Sequence, residues 1–376
     1  MTRPEGHTDP AFTRVAEVFA AHLAAGDRGA LAVRIDGRTV VDLRGGRVDP
    51  AFPAMWQEDT LACVFSVTKG VLSLLAHVMI DRGEIALDDP VARWWPEFAA
   101  SGKSEITLRN VMTHSAGLPA VSVPVQRGDL YDWKRMVSAL ATSAPVTPVG
   151  ALVYHNMTYG HLLGEILCRA SGIRPLFRLL AERVTGPLGA DFRLGLDAAA
   201  LLRTARIAGA DPAGLFAALQ ADPESLFARS MAFFGEGEDF NSPDWRTAEI
   251  GSGSGHATAM AIARLYEALI QPGLLLSDQR RADLARLQIE NRNPDPILGV
   301  PLRFAQGVEL SAPPGIDFGP SPRTLGHWGA GGATGLADPD TGVAFGYVTA
   351  DMATGLGSSP RCRALIASVL ECLQGR

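Results

Sequence analysis

The sequence predicts an α+β fold, with an antiparallel sheet built from both chain ends and a mostly helical region between them. Patterns typical of β-strands occur near the N-terminus and near the C-terminus, whereas helical patterns broken by Pro and Gly fill the middle of the 376 residues. With 47% hydrophobic and 20% charged residues, the chain can bury one large core or two adjoining ones. These observations indicate a layered globular protein.

The strands are expected at the two ends of the chain. After an amphipathic helix over residues 11–25, the stretch GALAVRIDGRTVVDLRGG alternates in polarity around Asp36-Gly37, which is typical of a β-hairpin turn. Near the other end, RFAQGVEL predicts a strand and GLADPDTGVAFGYVTA predicts a hairpin that turns at DPDTG. A last helix is expected over 360–373.

The remaining segments have helical spacing. Helices are expected over 66–82, 107–114, 130–141, 157–171, 175–183, 197–204, 255–271 and 278–288. The order of these patterns predicts two domains. Residues 1–84 and 245–376 form an α/β domain, residues 85–244 form a mostly helical domain, and a site is expected in the crevice between them.

Composition and charge exclude several classes of function. The net charge of −6 offers no basic patch for nucleic acid, and no phosphate-binding Walker motif is present. The four cysteines have no CxxC spacing, so neither a metal site nor a disulfide framework is expected, and no cofactor is implied. The N-terminus lacks the pattern of a secretory signal, and the apolar run 71–80 is too short to span a membrane. We therefore expect a cytoplasmic enzyme that acts on a small molecule, whose oligomeric state the sequence leaves open.

The stretch FSVTKGVLS places a serine and a lysine three residues apart at the head of an apolar helix. The chain has lysine only at positions 69, 103 and 134, so a lysine in this setting is unusual. The spacing puts Ser66 and Lys69 on one helix face, and burial would lower the pKa of Lys69 and make it a proton acceptor. A serine helix cap followed by a chance lysine is the simpler alternative.

Two later stretches favour the catalytic interpretation. ALVYHNMTYGHLLGEIL places Tyr154 and Asn156 just before a helix, and RTLGHWGAGG places His327 and Gly329 just before a strand. Taken singly, the tyrosine could be a core residue, the asparagine a helix cap and the histidine a loop residue. The three motifs in this order along the chain are a more specific sign of a catalytic site than any one motif alone.

With these motifs the sequence resembles the serine β-lactamases and penicillin-binding proteins, which carry SxxK, a second motif and KTG. It is most similar to the class C branch with its YxN motif, and to the family VIII carboxylesterases, which often have HxG in place of KTG. GEIALDDPVARWWPEF, ITLRNVMTHSAGLP, VTGPLGADFRLGL and ATAMAIARLYEAL resemble further segments of this family, so the resemblance covers nearly the whole chain. It implies the β-lactamase/penicillin-binding-protein fold.

The resemblance implies a role for each motif residue. Ser66 would be the nucleophile and Lys69 its partner, and Tyr154 would be the general base that holds its proton loosely because Lys69 lies beside it. Asn156 would hydrogen-bond to Lys69 or to the substrate. His327 would stand in place of the KTG lysine and orient Tyr154.

The resemblance also implies an oxyanion hole and a substrate pocket. The backbone N–H groups of Ser66 and Ala330 would bind the oxyanion. Trp328, Gly329, Tyr131 and Trp133 are candidates for the pocket, although buried aromatic residues usually serve packing. Trp328 departs from the smaller residue usual at the middle of the tripeptide.

The resemblance implies hydrolysis of small carboxylic esters through a Ser66 acyl-enzyme, with Lys69 and Tyr154 as the base. A neutral imidazole binds an anion less strongly than the lysine it replaces, which favours esterase over β-lactamase activity unless Arg323 compensates. An acyltransferase and an amidase would use the same groups. A member of the family that binds a ligand without catalysis is the remaining alternative.

Overall fold

The computed structural model describes residues 3–209, 220–234, 238–353 and 359–374. The described strands are β1 (Glu5–Thr8), β2 (Gly29–Ile35), β3 (Arg38–Gly45), β4 (Ala62–Cys63), β5 (Phe192–Arg193), β6 (His256–Ala257), β7 (Ile289–Glu290), β8 (Arg303–Phe304), β9 (Glu309–Leu310), β10 (Leu325–Trp328), β11 (Thr334–Asp338) and β12 (Val343–Thr349). Nine of these described strands form one antiparallel sheet in the order β1, β3, β2, β12, β11, β10, β9, β8, β7. A smaller sheet has the order β4, β6, β5.

The centre of the large sheet joins the two ends of the chain. β2 pairs with β12 over its whole length, from Gly29 opposite Thr349 to Ile35 opposite Val343. The hairpin of β2 and β3 turns at Asp36 and Gly37, whose φ angles of 47° and 82° are typical of a tight hairpin turn. The predicted α+β fold, with a sheet assembled from both chain ends, is therefore confirmed. The predicted domain boundaries stay a prediction.

Helices cover this sheet and fill the middle of the chain. The described α-helices are α1 (Thr13–Ala24), α2 (Val67–Asp81), α3 (Leu108–Met112), α4 (Trp133–Thr142), α5 (Thr158–Ser171), α6 (Leu176–Leu180), α7 (Gly186–Leu188), α8 (Ala198–Leu202), α9 (Leu226–Ser230), α10 (Pro243–Thr247), α11 (Ala259–Glu267), α12 (Asp278–Leu284) and α13 (Pro360–Gln374). Short 3₁₀ turns occur at Pro10–Phe12, Val91–Arg93, Pro96–Ala99, Asp129–Tyr131 and Ala330–Gly332, and a π turn spans Ala181–Thr185. In the part of the chain that the structure describes, no helix has the length and apolar character that a bilayer crossing requires.

The segment RFAQGVEL has the expected strand character and forms two short strands, β8 and β9. β8 and β9 are separated by a turn in which the Ala305 N–H donates to the Val308 carbonyl. Gly307 has a φ of 86° there, and a Cβ at this residue would lie 2.7 Å from the Ser73 hydroxyl oxygen. The turn therefore needs glycine both for its backbone angle and for its close approach to α2.

Helix α2 is surrounded by the rest of the fold. Every residue from Val67 to Met79 is buried, because α5, α11 and the sheet all pack against this helix. Burying one large apolar side chain such as Leu72 or Leu75 contributes about 1.5–3 kcal/mol. This packing fixes the position of the N-terminal end of α2, where Ser66 and Lys69 lie.

Candidate active site

Ser66 and Lys69 meet at the start of α2. Ser66 is the residue before the first turn, and Lys69 follows one turn later on the same face. The Lys69 Nζ lies 3.0 Å from the Ser66 Oγ. The N–H groups of Val67, Thr68 and Lys69 donate to the carbonyls of Val64, Phe65 and Ser66. The positive dipole end of the helix faces the same region and favours negative charge there.

Lys69 is fully buried, and burial lowers its pKa to about 7. The negative charge of Glu309 opposes this shift without cancelling it. The amine also lies 2.8 Å from the backbone carbonyl of Ser252, which holds it in place. A substantial share of Lys69 is therefore neutral at pH 7 and can accept a proton from Ser66.

Tyr154 lies against both of these residues. The centroid of its ring is 5.0 Å from the Lys69 Nζ. Burial, reinforced by the charge of Glu309, raises the pKa of Tyr154 well above 10, and an interaction with the Ser66 side chain only partly offsets this rise. The sequence led us to expect that Tyr154 holds its proton loosely. The structure gives the opposite direction, because desolvation disfavours the charged phenolate.

His327 reaches Tyr154 from strand β10, as expected. Its Nε2 lies 3.4 Å from the Tyr154 hydroxyl oxygen, and its Nδ1 lies 2.7 Å from the Trp328 carbonyl. Burial and the nearby charge of Lys69 lower the pKa of His327 to about 3, so the imidazole is neutral. A neutral ring here can orient the phenol, but it cannot act as a fixed positive charge.

The backbone on both sides of the nucleophile is closely packed. Phe65 has a φ of 45°, a left-handed angle that is strained for a bulky residue and occurs mainly at functional sites. Gly329 lies against this turn, since a Cβ at that position would be 2.2 Å from the Val64 carbonyl oxygen. The 3₁₀ turn that begins at Ala330, just after β10, is thereby brought against the backbone that precedes Ser66.

Asn156 makes a different contact from one of those expected. Its side-chain amide donates to the Met231 sulfur at 3.0 Å, whereas the described partners of the Lys69 amine are Ser66 and Ser252. Among the described residues, the expected hydrogen bond from Asn156 to Lys69 is therefore not formed. The half-buried Asn156 keeps only the alternative role, a contact with the substrate.

The aromatic pocket candidates have contacts of their own. Trp328 is 4% exposed and belongs to an apolar cluster with Leu152 and Tyr154. The Trp133 indole N–H donates to Glu165 at 2.8 Å, which joins α4 to α5. The Tyr131 hydroxyl donates to Glu238. These contacts account for all three rings by packing or hydrogen bonding, so a substrate pocket that they line stays a prediction.

Three residues around the site were not assigned to it by the sequence analysis. Asp295 is buried, and its carboxylate accepts the backbone N–H groups of Tyr154, Ile297 and Leu298, each at 2.9 Å. The His114 ring stacks on the Tyr154 ring with centroids 4.7 Å apart. Glu309 lies beside His327. The signal for Glu309 was a lone acidic residue within the apolar stretch RFAQGVEL.

Known proteins resemble this chain over nearly all of its length. The family model described as Beta-lactamase matches residues 15–369. The protein named Esterase/beta-lactamase LipL, from Mycobacterium tuberculosis, is 37% identical over 369 residues, which cover 91% of this chain and 82% of that protein.

Solved structures give the same result. The crystal structure of a family VIII carboxylesterase is 32% identical with a TM-score of 0.86, and the match covers 98% of this chain and 99% of that one. EstA from Arthrobacter nitroguajacolicus Rue61a is 30% identical with a TM-score of 0.85, and the match covers 98% of each chain. On the evidence of its sequence and of its fold, this chain belongs to the Beta-lactamase family.

Proposed function

We propose that this chain is a serine hydrolase that cleaves small carboxylic esters through an acyl-enzyme on Ser66. The observation that carries the proposal is the buried Lys69 amine, 3.0 Å from the Ser66 Oγ and with its pKa lowered to about 7. An amine of this kind is a base matched to neutral pH. The similarity to a family VIII carboxylesterase and to a protein named as an esterase supports the choice of substrate class.

In the proposed acylation step, the Ser66 Oγ attacks the ester carbonyl and its proton passes to the Lys69 amine. The N–H groups of Ser66 and Ala330 stabilise the oxyanion, and one such donor is typically worth about 3–4 kcal/mol. When the carbon–oxygen bond to the alcohol breaks, the Tyr154 phenol gives its proton to the leaving alkoxide and regains a proton from Lys69. Water then repeats the sequence on the acyl-enzyme, which releases the acid and restores Ser66.

The charges around the site favour neutral esters over β-lactams. His327, in the position of the KTG lysine, is neutral because burial lowers its pKa to about 3. Arg323, the alternative anion-binding residue, is mostly exposed and pairs with Asp340 at 2.6 Å. Neither residue therefore offers a free positive charge to a substrate carboxylate.

The test is turnover of p-nitrophenyl acetate and p-nitrophenyl butyrate by the whole chain. We expect hydrolysis by the wild type and a loss of at least about a thousandfold in Ser66→Ala, since removing a nucleophile abolishes the covalent route. Nitrocefin, a β-lactam, should be cleaved far more slowly than the esters. Retained turnover in Ser66→Ala would refute the nucleophile, and faster cleavage of nitrocefin would refute the substrate class.

A further inference from the structure

Glu309 is a buried carboxyl group without a hydrogen bond of normal geometry. It begins strand β9, is 1% exposed, and neither of its side-chain oxygens has such a partner in the described structure. The Trp328 backbone N–H interacts with the carboxylate and partly offsets the rise of its pKa. Leaving a buried acceptor unpaired destabilises a protein by about 1–3 kcal/mol, and more if the group is charged. A side chain of this kind calls for an explanation beyond packing.

The position of Glu309 is set by the sheet. β9 pairs with β10, with Glu309 opposite Gly326, the residue that precedes His327. One carboxyl oxygen lies 3.6 Å from the His327 Nδ1. The other titratable groups that interact with Glu309 come from the elements packed around it, namely Lys69 of α2, Tyr154, Tyr266 of α11 and Asp295.

The contacts of His327 define which of its nitrogens carries the hydrogen. Its Nδ1 is 2.7 Å from the Trp328 carbonyl oxygen, which can only accept a hydrogen bond. The Nδ1 of the neutral ring is therefore protonated, and the Nε2 lone pair faces the Tyr154 hydroxyl. Glu309 lies on the Nδ1 side, with one carboxyl oxygen 3.6 Å from this nitrogen.

We propose that Glu309 is a positioning residue for the reaction: it favours the His327 tautomer with hydrogen on Nδ1, whose Nε2 faces the Tyr154 hydroxyl, and its charge tunes how readily Lys69 accepts the Ser66 proton. The proposal rests on the proposed function for its role in turnover. In this arrangement a carboxyl, an imidazole and a phenol lie in sequence behind Ser66, while Lys69 contacts Ser66 directly. No step requires an oxidant, a metal or a co-reactant.

Burial and electrostatic attraction act in opposite directions on the pKa values of Glu309 and Lys69. Burial raises the pKa of Glu309 to about 8 and lowers the pKa of Lys69 to about 7, and each group partly offsets the shift of the other. The two groups therefore titrate in the same pH range and as a coupled pair. A negative charge at Glu309 stabilises the protonated amine, so removing that charge makes Lys69 lose its proton at lower pH.

The test is the pH dependence of Ser66 labelling by a fluorophosphonate in the wild type and in Glu309→Gln. The amide keeps the size of the side chain and an acceptor for the Nδ1 hydrogen, but it removes the charge. We expect the midpoint of the acid limb to move to lower pH by roughly half a unit or more. Glu290→Gln is the matched control, because Glu290 lies on β7, is exposed and pairs with Arg303.

An unchanged midpoint in folded Glu309→Gln would overturn the proposal. If that variant does not fold, the wild type still decides the matter by ¹⁵N NMR of its histidines, with His327→Asn for assignment. The Nδ1–H tautomer of His327 is expected between pH 6 and 8, and the Nε2–H tautomer would refute the proposed role. Labelling of Ser66 needs no ester turnover, so failure of the esterase proposal is measured separately.

Discussion

The chemistry of this site depends on what burial does to two side chains. Burial moves the pKa of Lys69 down to about 7 and the pKa of Tyr154 well above 10, so the amine is the better base and the phenol the better acid. Sequence reasoning paired the same residues but made Tyr154 the base on acylation. The difference arises because a sequence shows which groups are neighbours but not how completely the protein excludes water from each.

Tyr154→Phe should keep the fold and lose most of the activity. The change keeps the ring against Lys69 and His114 but removes the hydroxyl that supplies the leaving-group proton. We expect kcat for p-nitrophenyl butyrate to fall about a hundredfold or more, the usual size of general acid–base catalysis.

Tyr159→Phe is the control for this substitution. It removes another buried phenol, which hydrogen-bonds to Ser73 rather than to Ser66, so kcat should stay within a few-fold of the wild type. Equal activity in Tyr154→Phe and Tyr159→Phe would contradict the role of the Tyr154 hydroxyl.

At the scale of elements, the site depends on close contact between helix α5 and the loop 250–254. A Cβ at Gly160 would lie 2.2 Å from the backbone nitrogen of Ser252, the residue whose carbonyl binds Lys69. The Gly160 N–H also donates to the Ser252 hydroxyl at 2.7 Å. The loop therefore keeps its position only if residue 160 is small.

Gly160→Ala should move this loop and with it the Lys69 amine. We expect a loss of stability of about 1–3 kcal/mol, typical of overpacking, and a drop in kcat larger than the change in KM. Urea unfolding and ester kinetics measure the two effects.

Gly253→Ala in the same loop is the matched control. A Cβ there would lie 3.4 Å from the Trp245 ring, which is an ordinary contact, and this variant should behave like the wild type. A Gly160→Ala variant that is equally normal would show that the contact does not position Lys69.

Most elements could be predicted from the sequence, but the missed residues could not. Helix α2 and the hairpin of β2 and β3 have strong periodicity and a turn dipeptide, and the structure has them within a residue or two of the predicted bounds. Asp295 and Glu309 lack such a signal. Their roles depend on contacts with Tyr154 and His327, which are distant in the sequence, and only the folded chain brings them together.

For the whole molecule, the buried histidines predict acid sensitivity. All eight histidines lie within the described residues, and burial lowers the pKa of those at the core below 6.5; these are His77, His114, His155, His161, His256 and His327. Below pH 6.5 the unfolded chain binds protons that the folded chain does not, so stability falls as pH falls. The loss is about 1.4 kcal/mol per histidine at pH 5.5.

Urea midpoints at pH 7.5, 6.5 and 5.5 test this expectation, and the midpoint should decrease at each step. The raised pKa of Glu309, about 8, acts in the opposite direction, as do the raised pKa values of Asp42, Glu249 and Asp295, but these carboxyl groups are fewer than the six histidines. A midpoint that stays constant or rises on acidification would contradict the buried neutral state of these rings. The slope of the free energy of unfolding against pH reflects how many protons the chain takes up when it unfolds. Replacing His77 by Gln should lower that number by about one.

The most direct test of the account is the rate at which the wild type forms the Ser66 adduct with a fluorophosphonate, followed by intact mass from pH 5 to pH 9. A neutral Lys69 amine predicts a rate that rises with pH through a midpoint near 7 and then levels off. A rate independent of pH, or one still rising steeply at pH 9, would contradict the claim that burial makes Lys69 the base for Ser66.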